Sequence, residues 1–149
     1  MSDIVISSRK TPFFDQHLRH KAKVVDFCGW SLPIEYQSIL KEAQASRTTC
    51  GLFDASHMGE ISLRGKDRLK FLQRLLTNDL TSLAPGRMQY NLVLNEQGYP
   101  IDDLMVYHKG DEFLCVVNAV NKDAVYKWFC KQQSGFEVEI SDESDNTAL

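Results

Sequence analysis

The sequence predicts an α+β fold, an antiparallel sheet with helices packed on one of its faces. From residue 59 onward, hydrophobic periodicity gives the order strand, helix, three strands, helix, strand. The three middle strands are joined by short connections, which implies antiparallel neighbours because parallel strands require a long crossover. The helices before and after these strands can then cover one face of the sheet, as in layered α+β domains.

The first third of the chain is predicted to contain a short strand followed by a helix. Residues 24–30 are rich in β-forming side chains, and Gly29 ends the strand. Pro33 suits the first turn of a helix, where its missing N–H is not needed. Residues 34–49 keep apolar side chains on one helical face, and Gly51 is a natural stop for this helix.

The rest of the chain alternates between the periodicities of strands and helices. The predicted elements are a strand at 61–64, a helix at 67–76, strands at 88–94, 101–107 and 113–117, a helix that begins after Asn118 or Asn121, and a strand at 136–140. Every second residue from Met88 to Leu94 shares a face of its strand. Turn residues such as Pro85-Gly86 separate the elements.

Composition places the chain among ordinary globular proteins. It has 149 residues, 43% of them hydrophobic and 25% charged, with a net charge of −3. That charge gives no support for general nucleic-acid binding, and no apolar run is long enough to span a bilayer. Met1–Lys10 lacks the hydrophobic region of a signal peptide and the arginine-rich pattern of a transit peptide. We therefore expect a cytoplasmic protein that binds neither nucleic acid nor membrane.

The four cysteines indicate neither a disulfide framework nor a metal site. They are Cys28, Cys50, Cys115 and Cys130, and no two of them form a Cys-x-x-Cys pair. Cys115 and Cys130 lie in apolar segments, so we expect buried thiols at both positions. No side chains are clustered closely enough in the sequence to suggest a zinc site.

Two adjacent carboxylates mark the start of the strand predicted at 101–107. Because neighbours in a strand point to opposite faces, Asp103 shares a face with Met105 and Tyr107. Asp102 points to the other face. A carboxylate beside an apolar surface is suited to orienting a ligand. The alternative is that both acids end the preceding turn and are hydrated, which is the more common use of paired acids at a strand start.

Three further side chains can meet Asp103 across the predicted sheet. Tyr90 lies on the preceding strand, Tyr107 on the face of Asp103, and Asn118 at the end of the third strand. Tyrosine combines an apolar ring with a polar tip, asparagine offers a donor and an acceptor, and a carboxylate offers acceptors only. Together these groups suit a flat, nitrogen-rich ligand. Taken singly, each is better explained by a structural role, the tyrosines as core residues and Asn118 as a helix cap.

Seven segments of the chain occur in the same order in one known family. They are TPFFDQH at 11–17, VDFCGW at 25–30, RTTCGLFDASHMGE at 47–60, TNDL at 77–80, LNEQG at 94–98, IDDL at 101–104 and VVNA at 116–119. With these collinear motifs, the sequence resembles the glycine cleavage system T-proteins, a family of aminomethyltransferases. The resemblance implies the folate-binding T-protein architecture, of which this chain carries the N-terminal portion.

The resemblance also implies a cofactor, a partner and a set of site residues. In this family, tetrahydrofolate attacks the methylene carbon of an aminomethyl group on the lipoyl arm of the H-protein, and ammonia is released. The second acid of the Asp-Asp pair matches the family's catalytic aspartate, so Asp103 takes that role. Tyr90 matches a folate-pocket residue, and Met58, Tyr107 and Asn118 are candidates for the same cofactor-binding wall.

Members of the family are longer than this chain, and this sets the expected domain boundaries. Residues 1–55 correspond to the N-terminal segment of an incomplete first domain, residues 56–140 to a second α+β domain, and residues 141–149 to the start of a return to the first domain. Three functional alternatives to the transferase remain open at this point. They are a non-catalytic folate-binding module, one half of a split assembly, and a related folate-dependent demethylase.

Overall fold

The computed structural model describes residues 8–149, which form two compact units. Unit 1 comprises residues 8–57 together with Ala148–Leu149, and unit 2 comprises Met58–Thr147. Most of the N-terminal segment in which targeting signals were sought, residues 1–7, lies outside the described residues. Within the described range, no helix is both long and apolar enough to cross a bilayer.

Unit 1 is built on a three-stranded sheet with two helices. Its elements are β1 (Arg9–Lys10), α1 (Phe14–Arg19), β2 (Lys23–Phe27), β3 (Trp30–Glu35) and α2 (Ile39–Thr48). The strand order is β1-β3-β2, and β2 is antiparallel to β3. Cys28 and Gly29 join these two strands with φ values of 53° and 83°, in the left-handed region that favours glycine. The predicted stop at Gly29 is thus confirmed, and it is a hairpin turn.

The prediction that a helix begins at Pro33 is wrong. Pro33 lies in β3, opposite Val24 of β2, and the helix begins only at Ile39. A proline fits here because β1 pairs with β3 at Trp30 and Ser31 and does not extend as far as Pro33. Pairing with β2 outweighs the helix-compatible sequence of this segment.

A buried hydrogen-bonded cluster links distant parts of unit 1. The Asp54 carboxylate accepts the Thr11 hydroxyl at 2.6 Å and lies 2.8 Å from His17 Nε2. The other ring nitrogen of His17 lies 2.7 Å from the Tyr36 hydroxyl. Burial raises the pKa of Asp54, but hydrogen bonds from Thr11, Ser56 and His17 together lower it by more. The cluster ties α1 and the end of β3 to the segment that follows α2.

Unit 2 is a five-stranded sheet with helices against one face. Its elements are β4 (Gly59–Arg64), α3 (Arg68–Leu75), a 3₁₀ turn (Leu80–Ser82), β5 (Met88–Leu94), β6 (Pro100–His108), β7 (Phe113–Val117), α4 (Lys122–Gln132), β8 (Glu139–Asp142) and a second 3₁₀ turn (Ser144–Asn146). The strand order is β5-β6-β7-β4-β8, and each neighbouring pair is antiparallel. The predicted α+β class is confirmed, and so is the predicted meander of three consecutive strands.

The core of unit 2 lies between the two helices and one sheet face. Phe71 of α3 and Phe129 of α4 are fully buried, and their ring centroids lie 6.0 Å apart. The sheet supplies Ile61, Leu63, Val93, Leu104, Val106, Phe113, Cys115 and Val117 to the same cluster. Both helices therefore cover one face, and the alternate residues of each strand form the opposite face.

The last strand lies later in the chain than predicted. It runs over Glu139–Asp142 rather than 136–140. Phe136 packs on Phe71, with ring centroids 5.4 Å apart, so it belongs to the helix side of the core and not to the sheet. The apolar character of Phe136 did not distinguish a strand residue from a residue that packs on the helix side of the core.

The two cysteines expected to be buried differ in exposure. Cys115 is buried in β7, as predicted, whereas Cys130 is exposed. On α4 the buried positions are Val125 and Phe129. Cys130 follows Phe129 directly, and one residue step turns the side chain by about 100° around a helix, which takes its thiol out of the core.

Glu60 of β4 is a fully buried acid on the sheet face opposite the core. It pairs with Val116 of β7, and neither of its carboxylate oxygens has a hydrogen-bond partner within residues 8–149. Burial raises the pKa of Glu60 to about 7, with a further rise from Asp142 and an opposing effect from Lys122. The folded protein therefore favours the neutral form of this side chain.

Glu112, one residue before β7, is a buried acid in the opposite situation. Its carboxylate accepts the Ser62 hydroxyl at 3.1 Å and Arg64 Nε at 2.7 Å, and it lies 2.6 Å from the Lys109 ammonium. The hydrogen bond from Lys109 is the main reason that the pKa of Glu112 falls to about 2 despite burial. Hydrogen-bond and ion-pair partners, and not burial alone, thus determine whether a buried acid of this sheet region is charged.

Gly65→Ala is expected to destabilise the protein more than Gly98→Ala. Both glycines have positive φ, 106° and 82°, so alanine strains the backbone at each by about 1–3 kcal/mol. At Gly65 the added Cβ also presses on the Glu137 carbonyl oxygen, whereas at Gly98 it meets open space. Urea unfolding of both variants measures the difference, and equal losses of unfolding free energy would contradict this packing.

Glu60→Gln is expected to flatten the pH dependence of stability. The folded-state pKa of Glu60, about 7, lies above the ordinary value of 4.5, so the folded protein binds this proton more tightly than the unfolded chain does. That contribution to stability is complete below the ordinary pKa and is lost as pH rises through the folded-state pKa. Between about pH 5 and about pH 8, the wild type should therefore lose more unfolding free energy than Glu60→Gln.

Urea unfolding at both pH values measures this difference, with Glu139→Gln as the matched control. Glu139 is an exposed glutamate on β8, so its variant should follow the wild type. A Glu60→Gln variant that loses as much stability as the wild type over this range would show that Glu60 does not titrate there.

Candidate functional site

Asp103 lies on β6 and points to the face opposite the core. It is exposed, whereas its neighbour Asp102 is buried, as strand alternation predicts. Asp103 Oδ2 accepts the Tyr90 hydroxyl at 3.1 Å, and Oδ1 accepts the Asn118 side-chain amide at 3.0 Å. Each oxygen of the Asp103 carboxylate thus has one donor from the protein and keeps capacity for another.

Tyr90 reaches Asp103 from the neighbouring strand. On β5, Tyr90 pairs with Met105 and Leu92 pairs with Asp103, so Tyr90 and Asp103 are diagonal neighbours on one face. The hydrogen bond to Asp103 raises the pKa of the Tyr90 hydroxyl, and burial adds to the shift. Because Tyr90 is 52% exposed, its ring remains available to a ligand.

Tyr107 lies farther along β6, and Met58 lies beside the end of the β4–β7 ladder. Tyr107 follows Asp103 by four residues on β6, so the two share a face, and Tyr107 is half-buried. Met58 lies one residue before the first pair of the β4–β7 ladder, and Asn118 lies one residue after it. All five residues predicted for the site therefore belong to unit 2, but hydrogen bonds join only Tyr90, Asp103 and Asn118 among those described.

Apolar side chains surround the three hydrogen-bonded residues. Met88 of β5 is 57% exposed, and two apolar residues on the same face, Leu92 and Met105, are half-buried. A cavity of about 410 Å³ elsewhere in unit 2 is lined by residues such as Arg74 and Trp128 and by none of the five predicted site residues. The candidate site is thus the exposed sheet surface around Asp103.

Asp102 is the residue of the site that the sequence prediction missed. It is only 5% exposed, and its carboxylate accepts from the Asn118 backbone N–H, the Asn118 side chain and the Asn121 side chain at 2.9, 2.8 and 2.7 Å. A hydrated acid that ends the turn is therefore the wrong description of Asp102. The available signal was the strand alternation, which places Asp102 on the core face, where a carboxylate needs hydrogen-bond partners.

Asn118 has a different role from the helix cap considered for it. The N-cap position of α4 is occupied by Asn121. The Asn118 side-chain nitrogen instead lies between the two acids of β6, 2.8 Å from Asp102 Oδ1 and 3.0 Å from Asp103 Oδ1. Asn118 thus connects the buried carboxylate to the exposed one.

Known proteins match almost the whole of this chain. Residues 13–149 match the family described as the GCVT N-terminal domain. The aminomethyltransferase of Geobacillus thermodenitrificans is 47% identical over 142 residues, which cover 95% of this chain and 39% of that protein. The aminomethyltransferase of Bacillus subtilis is 46% identical, with the same coverage of both chains.

A solved structure has the same fold. The crystal structure of glycine cleavage system aminomethyltransferase T from Bartonella henselae matches with a TM-score of 0.85 and 33% identity, over 96% of this chain and 38% of that one. The chain thus spans less than half the length of the relatives it matches. It belongs to the GCVT N-terminal domain family and corresponds to the N-terminal portion of the glycine cleavage system T-protein.

Proposed function

We propose that this chain binds tetrahydrofolate on the sheet face that carries Asp103, as part of an aminomethyltransferase of the glycine cleavage system. The observation that carries this proposal is the group formed by Tyr90, Asp103 and Asn118. In it, an exposed carboxylate with free acceptor capacity is held by two donors beside an apolar surface. The family of the chain and the names of its relatives support the same function.

A reduced pterin matches this surface in shape and in hydrogen-bonding groups. Its ring is nearly flat and carries several N–H donors, whereas Asp103 offers acceptors only. The ring would lie against Tyr90 and the half-buried Met105 while its N–H groups bond to Asp103. Tyr107, Asn118 and Met58 would border the same ligand.

In the proposed reaction, tetrahydrofolate displaces two groups from one methylene carbon. The carbon arrives bound to a sulfur of the lipoyl arm and to an amino nitrogen. Two folate nitrogens form bonds to this carbon while its C–S and C–N bonds break, and the two folate N–H protons leave with the thiol and the ammonia. The Asp103 carboxylate would orient the attacking nitrogen and stabilise the positive charge that develops on it.

The partner, the location and the domain boundaries belong to the same proposal. The aminomethyl donor would be the lipoylated H-protein, and the reaction would take place in the cytoplasm. Residues 1–55 and 141–149 would belong to one domain and residues 56–140 to another. This chain spans 39% of the length of the curated relatives that are named aminomethyltransferases. Aminomethyl transfer is therefore the activity of longer proteins, and the proposal extends it to this chain.

A non-catalytic folate-binding module is the second candidate function. The observation that favours it is the exposure of Asp103 and Tyr90, because water would reach the reacting groups, and transfer enzymes usually exclude it. A folate-dependent demethylase would use the same face with a methyl donor. Methyl and aminomethyl donors offered in parallel distinguish the demethylase from the transferase.

Asp103→Asn is expected to weaken tetrahydrofolate binding by roughly 10- to 100-fold. The asparagine amide would turn either a donor or an uncharged acceptor toward the ligand, a loss of about 1.5–3 kcal/mol. Isothermal titration calorimetry with the 149-residue chain gives the Kd. Asp111→Asn is the matched control, because Asp111 is an exposed aspartate in the β6–β7 turn, and it should bind as the wild type does.

The same samples separate binding from transfer. Aminomethyl transfer is measured as methylenetetrahydrofolate formed from aminomethyl-loaded H-protein. Saturable binding and transfer that both fall in Asp103→Asn support the transferase, and saturable binding with no transfer above the uncatalysed rate favours the module. No saturable binding by the wild type, or an unchanged Kd in Asp103→Asn, removes the proposed function.

Tyr90→Phe is expected to weaken tetrahydrofolate binding by only about two- to fivefold. The ring is kept and one hydrogen bond to the Asp103 carboxylate is lost, a change of about 0.5–1 kcal/mol. Tyr99→Phe, at an exposed tyrosine in the turn before β6, is the control and should leave the Kd unchanged. A loss larger than that of Asp103→Asn would reverse the order of importance of the two side chains.

A further inference from the structure

We propose that Asp102 is a positioning residue that acts through Asn118 on Asp103, an inference that rests on the proposed folate function. Asp102 cannot contact a ligand on the exposed face, because it points to the core side of the sheet and is 5% exposed. Its effect on the site passes through Asn118, the one side chain among residues 8–149 that is hydrogen-bonded to both acids.

Asp102 holds the start of the β7–α4 connection with both carboxylate oxygens. Oδ2 accepts the Asn118 backbone N–H at 2.9 Å. Oδ1 accepts the Asn118 side chain at 2.8 Å and the Asn121 side chain at 2.7 Å. The backbone and the side chain of Asn118 are therefore both fixed by a single buried group.

The Asp102 carboxylate also favours one orientation of the Asn118 amide, together with Asp103, because a carboxylate offers acceptors only. With the amide nitrogen toward the acids, one N–H reaches Asp102 Oδ1, and the other is shared between Asp103 Oδ1 at 3.0 Å and the Asp103 carbonyl oxygen at 3.2 Å. A flipped amide would place its carbonyl oxygen against both carboxylates. In Asp102→Asn, the flipped Asn118 carbonyl oxygen would meet one carboxylate instead of two. The new side-chain amide at position 102 could also donate a hydrogen bond to that carbonyl oxygen.

The consequence is an Asp103 carboxylate that is oriented before a ligand arrives. Asn118 donates to Oδ1 and Tyr90 donates to Oδ2. A side chain held in its binding geometry loses less rotamer freedom when the ligand binds, which strengthens binding. Asp102 contributes to this orientation from the core side, because it holds the Asn118 side chain that donates to Asp103 Oδ1.

A double-mutant cycle in tetrahydrofolate binding distinguishes positioning from general structural support. The 149-residue chain is compared as the wild type, Asp102→Asn, Asp103→Asn and the double variant. Positioning predicts that Asp102→Asn weakens binding about tenfold when Asp103 is present but about twofold or less in the Asp103→Asn background. Structural support alone predicts the same loss in both backgrounds. Asp111→Asn serves as the control for exchanging a carboxylate with an amide.

NMR of the ligand-free chain tests the orientation of Asn118 without folate. Both side-chain N–H groups of Asn118 are hydrogen-bonded in the wild type, so their signals should shift and broaden in Asp102→Asn. Asn91 provides the internal control. Its buried side-chain amide donates to Gln89 instead, and its signals should not change.

Additive losses in the cycle, or unchanged Asn118 signals, would overturn the positioning role while leaving the folate site in place. Failure of the wild type to bind tetrahydrofolate would remove the proposed function, and the NMR comparison would still decide whether Asp102 orients Asn118. Should Asp102→Asn not fold, Asp102→Ser replaces it in the cycle and in the NMR comparison with the same prediction. Serine is smaller than aspartate and keeps a hydroxyl that can accept one N–H of the β7–α4 connection, but it removes the carboxylate that holds the Asn118 side chain.

Discussion

A buried carboxylate that must be hydrogen-bonded determines the geometry of the candidate site. Asp102 points to the core side of β6, where an unpaired carboxylate is strongly unfavourable. Three N–H groups from the β7–α4 connection satisfy it, and this fixes the position of Asn118. Because Asn118 also donates to Asp103, a requirement of the core sets the orientation of a polar group on the exposed face. The two acids therefore have different roles. Asp102 positions Asn118 from the core side of the sheet, and Asp103 lies on the exposed face that would contact a ligand.

Much of unit 2 could be predicted from the sequence because its signals are local. The period-two pattern of residues 88–94 and the turn residues that follow it place β5 and β6 correctly. The start of α2 could not be placed in this way, because Pro33 is held in β3 by pairing with Val24 of another strand. The exposure of Cys130 depends on the rotation of α4 by a single residue step, which a count of apolar neighbours does not give.

The candidate site was only partly accessible to the same reasoning. Alternation predicts that Asp103 and Tyr107 share a face, and the structure places both there. The hydrogen bond from Tyr90 depends on the register that puts Leu92 opposite Asp103. In a hairpin the turn sets the register, and the shift between Val93 and Leu94 beside this turn was not predicted from the sequence. The role of Asp102 stayed hidden because turn chemistry accounted for both acids of the pair, although the burial expected for one of them did not fit that explanation.

The account depends most directly on where tetrahydrofolate binds. Titration of unlabelled tetrahydrofolate into the ¹⁵N-labelled chain, followed by NMR, measures this for every assigned amide. We expect the largest shift changes at Tyr90, Asp103 and Asn118, and no such changes in Asp103→Asn at the same folate concentrations. Unchanged signals at these three residues in the wild type, or largest changes in unit 1, would contradict the account.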